Sequence, residues 1–176
     1  MKNIILLLVC ITTFGIQAQE ATYQQDVIKY LEMNGTTEQY SGAIDQLFEL
    51  LKRQYASQNI DSATWIALRD EAQSETGKIK ALLVSAYRGT YEHEDIKNLI
   101  AFYETPTGKQ LLTDQTALDD NQQNMAAAFY NTDTGQKVIS KRQEISRSVS
   151  EVSEFWSRDL YRKMVDKLAE KGYTKQ

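Results

Sequence analysis

Between Gly135 and Gly172 the chain contains neither glycine nor proline. Along that stretch Val138, Ile145, Val149, Val152, Trp156, Leu160, Met164 and Leu168 recur at separations of seven, four or three residues. Apolar side chains at that spacing line one side of an α-helix. A single helix over residues 133–171 would extend about 57 Å at 1.5 Å per residue. That exceeds the width of a compact domain of this size, so part of it is expected to bend or project. No stretch of the chain shows sustained strand alternation. The expected fold is therefore all-α, a helical bundle of five to seven helices with a long C-terminal helix.

Shorter helices read out ahead of the long one. Tyr23, Val27, Ile28 and Leu31 make a first helix stopped by Asn34-Gly35, a common C-terminal signal. Thr36 with Gln39 has the form of a capping box opening a second helix. Tyr40, Ile44, Leu47, Phe48, Leu51 and Tyr55 share its face. Asp61 or Ser62 caps a third, bearing Trp65, Ile66 and Leu68, and the apolar stripe resumes at Ile79, Leu82, Leu83, Ala86 and Tyr87. Gly77 lies between those two sets, a position that weakens a helix without forbidding it. After Arg88-Gly89-Thr90, the acidic residues Glu92, Glu94 and Asp95 crowd a helix start, where negative charge complements exposed N–H groups. Ile96, Leu99, Ile100 and Tyr103 form the buried face of that helix. Leu111, Leu118, Met125 and Phe129 continue the pattern beyond Pro106.

The first residues, MKNIILLLVCITTFGIQAQ, have one lysine, a short apolar centre and a small residue before a polar stretch. That is the layout of a secretory signal peptide, with cleavage expected after Ala18. The apolar run is shorter than the roughly 20 residues a membrane span needs. Cys10 follows Val9, where lipoprotein processing wants a small residue, so lipidation is not expected. Residues 1–18 are thus read as signal and residues 19–176 as a single all-helical domain, without a transmembrane segment. The remaining chain has no cysteine, and packing alone must hold it together in an oxidising compartment. The expected location is the periplasm, or the exterior, of a Gram-negative bacterium.

Charge is uneven. Residues 19–135 hold 9 Lys+Arg against 18 Asp+Glu, whereas residues 136–176 hold 10 against 6. The basic C-terminal segment is interleaved with Glu144, Glu151, Glu154, Asp159, Asp166 and Glu170, so no continuous positive stripe forms. It is expected to pack beside the acidic body, and nucleic acid is not an expected partner.

Two stretches read almost alike, FYETPTGKQLL from Phe102 to Leu112 and FYNTDTGQKVI from Phe129 to Ile139. Thr105 precedes proline and so disfavours helical geometry, while Pro106 suits the first position of a new helix. The Thr105 hydroxyl can cap that helix by accepting from Thr107 or Gly108 N–H. The second copy keeps the grammar with Thr132, Asp133 and Gly135. Glycine three residues past the cap is a poor helix former, and its presence twice implies close packing against the pairs Phe102-Tyr103 and Phe129-Tyr130. The element reads as a helix–corner–helix joint. The competing reading is an anion site at the helix start Thr105–Lys109. A phosphate loop is excluded by Tyr103 and Gln110 at positions that need glycine and a hydroxyl. An unbroken helix between the joints would place them about 37 Å apart, at opposite ends of the bundle.

The segment YEHEDIKNLIAFYETPTGKQLL resembles the signature of a bacterial exported helical family, domain of unknown function 2059. Its pattern of an aromatic, an acidic helix start and FYxTPxGxK matches Tyr91, Glu94, Asp95, Phe102, Tyr103, Thr105, Pro106 and Gly108. The resemblance implies an α-helical domain behind a signal peptide, typically in Gram-negative bacteria, with no established activity. Two departures stand out. Gln110 occupies the place of a frequent lysine. Thr116 replaces a frequent proline, although Thr116 with Asp119 could still open a new helix.

Several chemistries lack their parts. His93-Glu94-Asp95 is not HExxH, because Lys97 stands where the second histidine belongs. The one histidine rules out a multi-histidine metal site, and the lack of cysteine after residue 18 rules out thiol catalysis. Asp70-Glu71, Glu94-Asp95 and Asp119-Asp120 are sequence neighbours read as solvated helix faces, not carboxyls facing across a sugar-sized cleft. No cofactor is expected. The favoured reading is a non-enzymatic protein-interaction or structural module of the cell envelope, binding an envelope protein or peptide. The alternative is a small-ligand or anion carrier using the bundle interior or Thr105–Lys109, and an envelope hydrolase comes third.

Overall fold

The computed structural model describes residues 22–174. The segment read as a signal peptide, with Cys10 and the expected cleavage site, lies outside the described residues. Among those described there is helix and turn but no strand. Residues 22–33 are helical (α1). They are followed by α2 (Thr36–Gln54), α3 (Ser62–Ser74), α4 (Thr76–Arg88), α5 (His93–Glu104), α6 (Pro106–Thr113), a short 3₁₀ turn (Gln115–Ala117), α7 (Asp120–Tyr130) and α8 (Asp133–Glu170). The all-α class and the long C-terminal helix are as the periodicity implies. No helix among the described residues is long and apolar enough to cross a membrane.

The chain forms two compact units. One comprises α1 with Tyr91–Lys141; the other comprises Gly35–Thr90 with the chain from Arg142 onward. The helix α8 belongs in part to each. The first change of unit falls at Gly35, whose φ of 74° is the left-handed conformation that glycine adopts without a Cβ penalty. This glycine is itself the N-cap of α2, so Thr36 is the first helical residue and not the cap.

In the second unit, α2 buries Tyr40, Ile44, Phe48 and Leu51, and α4 buries Ile79, Leu83, Val84 and Tyr87. From α8 come Trp156, Leu160, Met164 and Leu168, one residue per turn and all nearly solvent-free. Asp61 caps α3, its carboxylate accepting from Thr64 N–H at 2.8 Å. The break between α3 and α4 falls at Glu75, ahead of Gly77, and Glu75 keeps near-helical angles (φ −73°, ψ −7°). The Glu75 carbonyl accepts from the Trp156 indole N–H at 3.2 Å, which pins the largest core side chain to the break. Lys163 bridges Glu71 at 3.1 Å and Glu75 at 2.8 Å. Hydrogen bonds donated to Glu75 and Glu71 raise the Lys163 pKa, and the bond from Lys163 lowers that of Glu71. The basic part of α8 is thus matched to acidic helices of its own unit. Ile66, expected inside, is 61% exposed; the buried residues of α3 are Leu68 and Ala72, and Trp65 meets the core ring of Phe48 edge-on.

In the first unit, Val27 and Leu31 of α1 pack inside with Ile96 and Leu99 of α5. The Tyr23 hydroxyl donates to the Tyr91 carbonyl at 3.0 Å. His93 Nε2 lies 2.6 Å from Asp26 Oδ2, so this histidine ties α5 to α1. The stripe expected from Leu111 to Phe129 is interrupted. Asp114 accepts from Thr116 N–H at 2.9 Å and ends α6, and Asp119 rather than Thr116 caps α7, accepting from Gln122 N–H at 2.7 Å. The heptad phase is lost across this turn, and Met125 is 44% exposed.

Candidate functional site

The twin stretches fold as two corners of the same construction. Helix α5 ends at Glu104 and α6 starts at Pro106, with extended Thr105 (φ −69°, ψ 158°) between them. The Thr105 hydroxyl accepts from Gly108 N–H at 3.0 Å and donates to the Phe102 carbonyl at 2.7 Å. At the second corner, α7 ends at Tyr130 and α8 starts at Asp133. The Thr132 hydroxyl accepts from Gly135 N–H at 3.1 Å and donates to the Phe129 carbonyl at 2.7 Å. One hydroxyl thus adds a second bond to a carbonyl at the end of the finished helix, beside the threonine's own N–H, and satisfies an orphan N–H of the next. Such a cap contributes about 1 kcal/mol.

The glycines are required by backbone, not by the aromatic rings. A Cβ on Gly108 would overlap the Phe102 carbonyl oxygen and lie 2.5 Å from Tyr103 Cα. On Gly135 it would overlap the Phe129 oxygen and lie 2.5 Å from Tyr130 Cα. Each corner is closed so tightly that the entering helix touches the main chain of the leaving one. No side chain can move aside to relieve that.

The corners are also together. The rings of Phe102 and Phe129 are stacked, with centroids 3.9 Å apart and planes 3° from parallel. Tyr130 meets Phe102 edge-on at 6.4 Å, and Tyr30 of α1 lies 5.9 Å from Tyr103. The condition for a 37 Å separation, an unbroken helix over 106–131, fails at the turn Asp114–Asp119. Burial raises the pKa of Tyr30 and Tyr103, so both hydroxyls stay protonated at neutral pH.

The likeness extends further upstream than the eleven matched residues. Asp95 Oδ2 accepts from Glu92 N–H at 2.9 Å, and 27 residues on Gln122 Oε1 accepts from Asp119 N–H at 3.1 Å. Both helices that lead into a corner therefore open with a side chain reaching back to the cap. The sequence carries this signal as ExxD and DxxQ at the same offset, which the reading of residues by type missed.

The second threonine of each corner is buried, and here the copies part. Thr107 donates to Met125 Sδ at 3.6 Å, a weak bond. Thr134 donates to Asp95 Oδ1 at 3.2 Å and accepts from Asn98 Nδ2 at 3.1 Å. Lys137 forms an ion pair with Asp95 Oδ2. Burial alone would raise the Asp95 pKa, but Lys137, the Glu92 N–H and Thr134 outweigh it and hold the carboxylate below its ordinary range. Asp95 is thus not the solvated carboxylate expected; it is a buried tie between α5 and the start of α8. Lys137 stands two places after its glycine, where the first copy has Gln110.

The structure gives Phe102 and Gly108 buried positions, leaves Tyr103 and Thr105 half-buried, and exposes Pro106 and Lys109. In the second copy Gly135 is buried, Phe129 and Tyr130 are half-buried, and Thr132 is exposed. The anion reading at Thr105–Lys109 loses a donor, since the Gly108 N–H is taken by the Thr105 hydroxyl. A concave feature lies in the other unit, a groove of about 480 Å³ between α2 and α8. Ala43, Leu47, Leu50, Trp156 and Leu160 supply its apolar lining, with Gln46, Ser157, Tyr161 and Arg53. Residue typing along the chain missed it because its two walls lie over a hundred residues apart.

A sequence model of the family DUF2059, described as "Uncharacterized protein conserved in bacteria", matches residues 77–126 and residues 117–163. The first match contains the Thr105 corner and the second the Thr132 corner. The resemblance drawn from the sequence therefore holds over residues 77–163. No curated protein and no solved structure matches the chain.

Proposed function

We propose that the protein is an exported, non-catalytic helical module of the bacterial envelope that binds another envelope protein, with the paired corners as its scaffold. One observation carries this reading. Both corners use their polar groups on themselves: each cap hydroxyl bridges a carbonyl and an N–H, each glycine is pressed on main chain, and the central rings stack on each other. A motif spent on its own geometry shapes a surface and leaves recognition to side chains outside it. Phe155 at 49% exposure is a large apolar group in such a position, and Ile139, at the far end of the second stretch and past its corner, is 55% exposed. The layout of residues 1–18 supports export.

Photo-crosslinking residues placed at 139 and 155 in the native bacterium test the proposal. The expected result is a discrete adduct at one of them, identified by mass spectrometry as an envelope protein, with none from the polar surface position 70. Equal labelling at all three positions would contradict it. Fractionation tests the compartment: a periplasmic product lacking residues 1–18 is expected, and a full-length cytoplasmic product would overturn export.

A further inference from the structure

The groove between α2 and α8 combines an apolar floor with one formal charge. Leu47, Leu50, Leu160 and the Trp156 ring face it, and Arg53 is the charged residue among the described residues that line it. Trp156 is 2% exposed and held by its N–H to Glu75, so the floor is rigid. Tyr161 is held likewise, its hydroxyl donating to Gln54 Oε1 at 2.9 Å. Leu50, by contrast, is 38% exposed at the edge of the groove. Other cations that border α2 behave differently: Lys52 pairs with Glu49 and Arg69 with Asp45, whereas no carboxylate among the described residues pairs with Arg53. Ala43 to Arg53 spans about 15 Å of helix at 1.5 Å per residue. That gives an elongated apolar track with a guanidinium at one end, which is the complement of a chain with a single anionic head. A volume of about 480 Å³ is within the range of small-molecule sites.

We propose that this groove binds an amphiphile of one alkyl chain and one carboxylate, the chain lying along Leu47 and Leu50 and touching the edges that Trp156 and Leu160 show at the floor, and the carboxylate on Arg53. A guanidinium presents paired donors matched to a carboxylate, and an apolar track rewards each methylene it covers. This site is separate from the protein-binding reading above and does not depend on it.

Trp156 reports occupancy directly. Dodecanoate is titrated into purified protein carrying Trp65→Phe, below the micellar concentration, and Trp156 emission is followed. Saturable binding is expected, tightening several-fold per methylene from octanoate to dodecanoate. Dodecanol should bind at least ten-fold more weakly. Arg53→Gln should erase that preference for the carboxylate and Arg53→Lys should keep most of it, with melting temperatures unchanged because the side chain is exposed. Either of two results overturns the proposal: no saturable change with any chain length, or equal affinity for acid and alcohol that Arg53→Gln leaves untouched.

Discussion

The two corners are built alike and fastened differently. Cap hydroxyl distances agree to 0.1 Å between them, and both glycines meet the carbonyl and Cα of the equivalent aromatic pair. Yet the first corner is fixed by Pro106 and by a weak contact from Thr107 to sulfur. The second is fixed by a buried carboxylate that gathers Thr134, Lys137 and, through Thr134, Asn98. Tight local geometry is therefore the shared requirement, and the means of anchoring it is free to vary. Proline anchors by limiting the unfolded chain, whereas the Asp95 cluster anchors by native contacts.

The glycines should show the sameness most strongly. Gly108→Ala and Gly135→Ala each place a methyl against immovable backbone, and each should cost about 3 kcal/mol in urea unfolding. A cost in one and none in the other would break the equivalence of the corners.

The Asp95 cluster should show the difference. Lys137→Met leaves a buried carboxylate without its cation and should cost about 2 kcal/mol, whereas Gln110→Met at the matching place of the first corner should cost little. The pH dependence follows from the depressed Asp95 pKa. A carboxylate whose folded pKa is lowered stabilises the protein fully above its unfolded value, roughly pH 4, and that stability is lost as pH falls through the folded value. Asp95→Asn should therefore remove part of the acid sensitivity of the wild-type melting curve. An unchanged acid limb would remove Asp95 from the account.

Smaller still is the contrast between threonines. Thr134→Val strips the buried carboxylate of one donor and should cost about 1.5 kcal/mol, while Thr107→Val gives up only a contact to sulfur and should cost about 0.5 kcal/mol or less. Equal costs would mean that the two second threonines anchor their corners alike after all.

Local features were the legible ones. Thr105, Pro106 and Gly108 act within four residues of chain, so their roles as cap, first helical residue and close-approach glycine follow from stereochemistry. Asp61 and Asn34-Gly35 were readable for the same reason. What escaped was set by distance along the chain. Asp95 looked solvated because Thr134 and Lys137, which bury it, lie 39 and 42 residues away. The meeting of Phe102 with Phe129 depends on a break at Asp114–Asp119. Periodicity ran through that break because Leu111, Leu118 and Met125 happen to keep a heptad spacing across it. The groove between α2 and α8 has walls that residue typing cannot bring together.

That the two corners meet, ring on ring, is the claim on which the scaffold account rests. A double-mutant cycle with Phe102→Leu and Phe129→Leu, read by urea unfolding, tests it most directly, since leucine retains apolar bulk and removes the stack. A coupling of about 1 kcal/mol between the two substitutions is expected. Effects that simply add, to within about 0.3 kcal/mol, would contradict it.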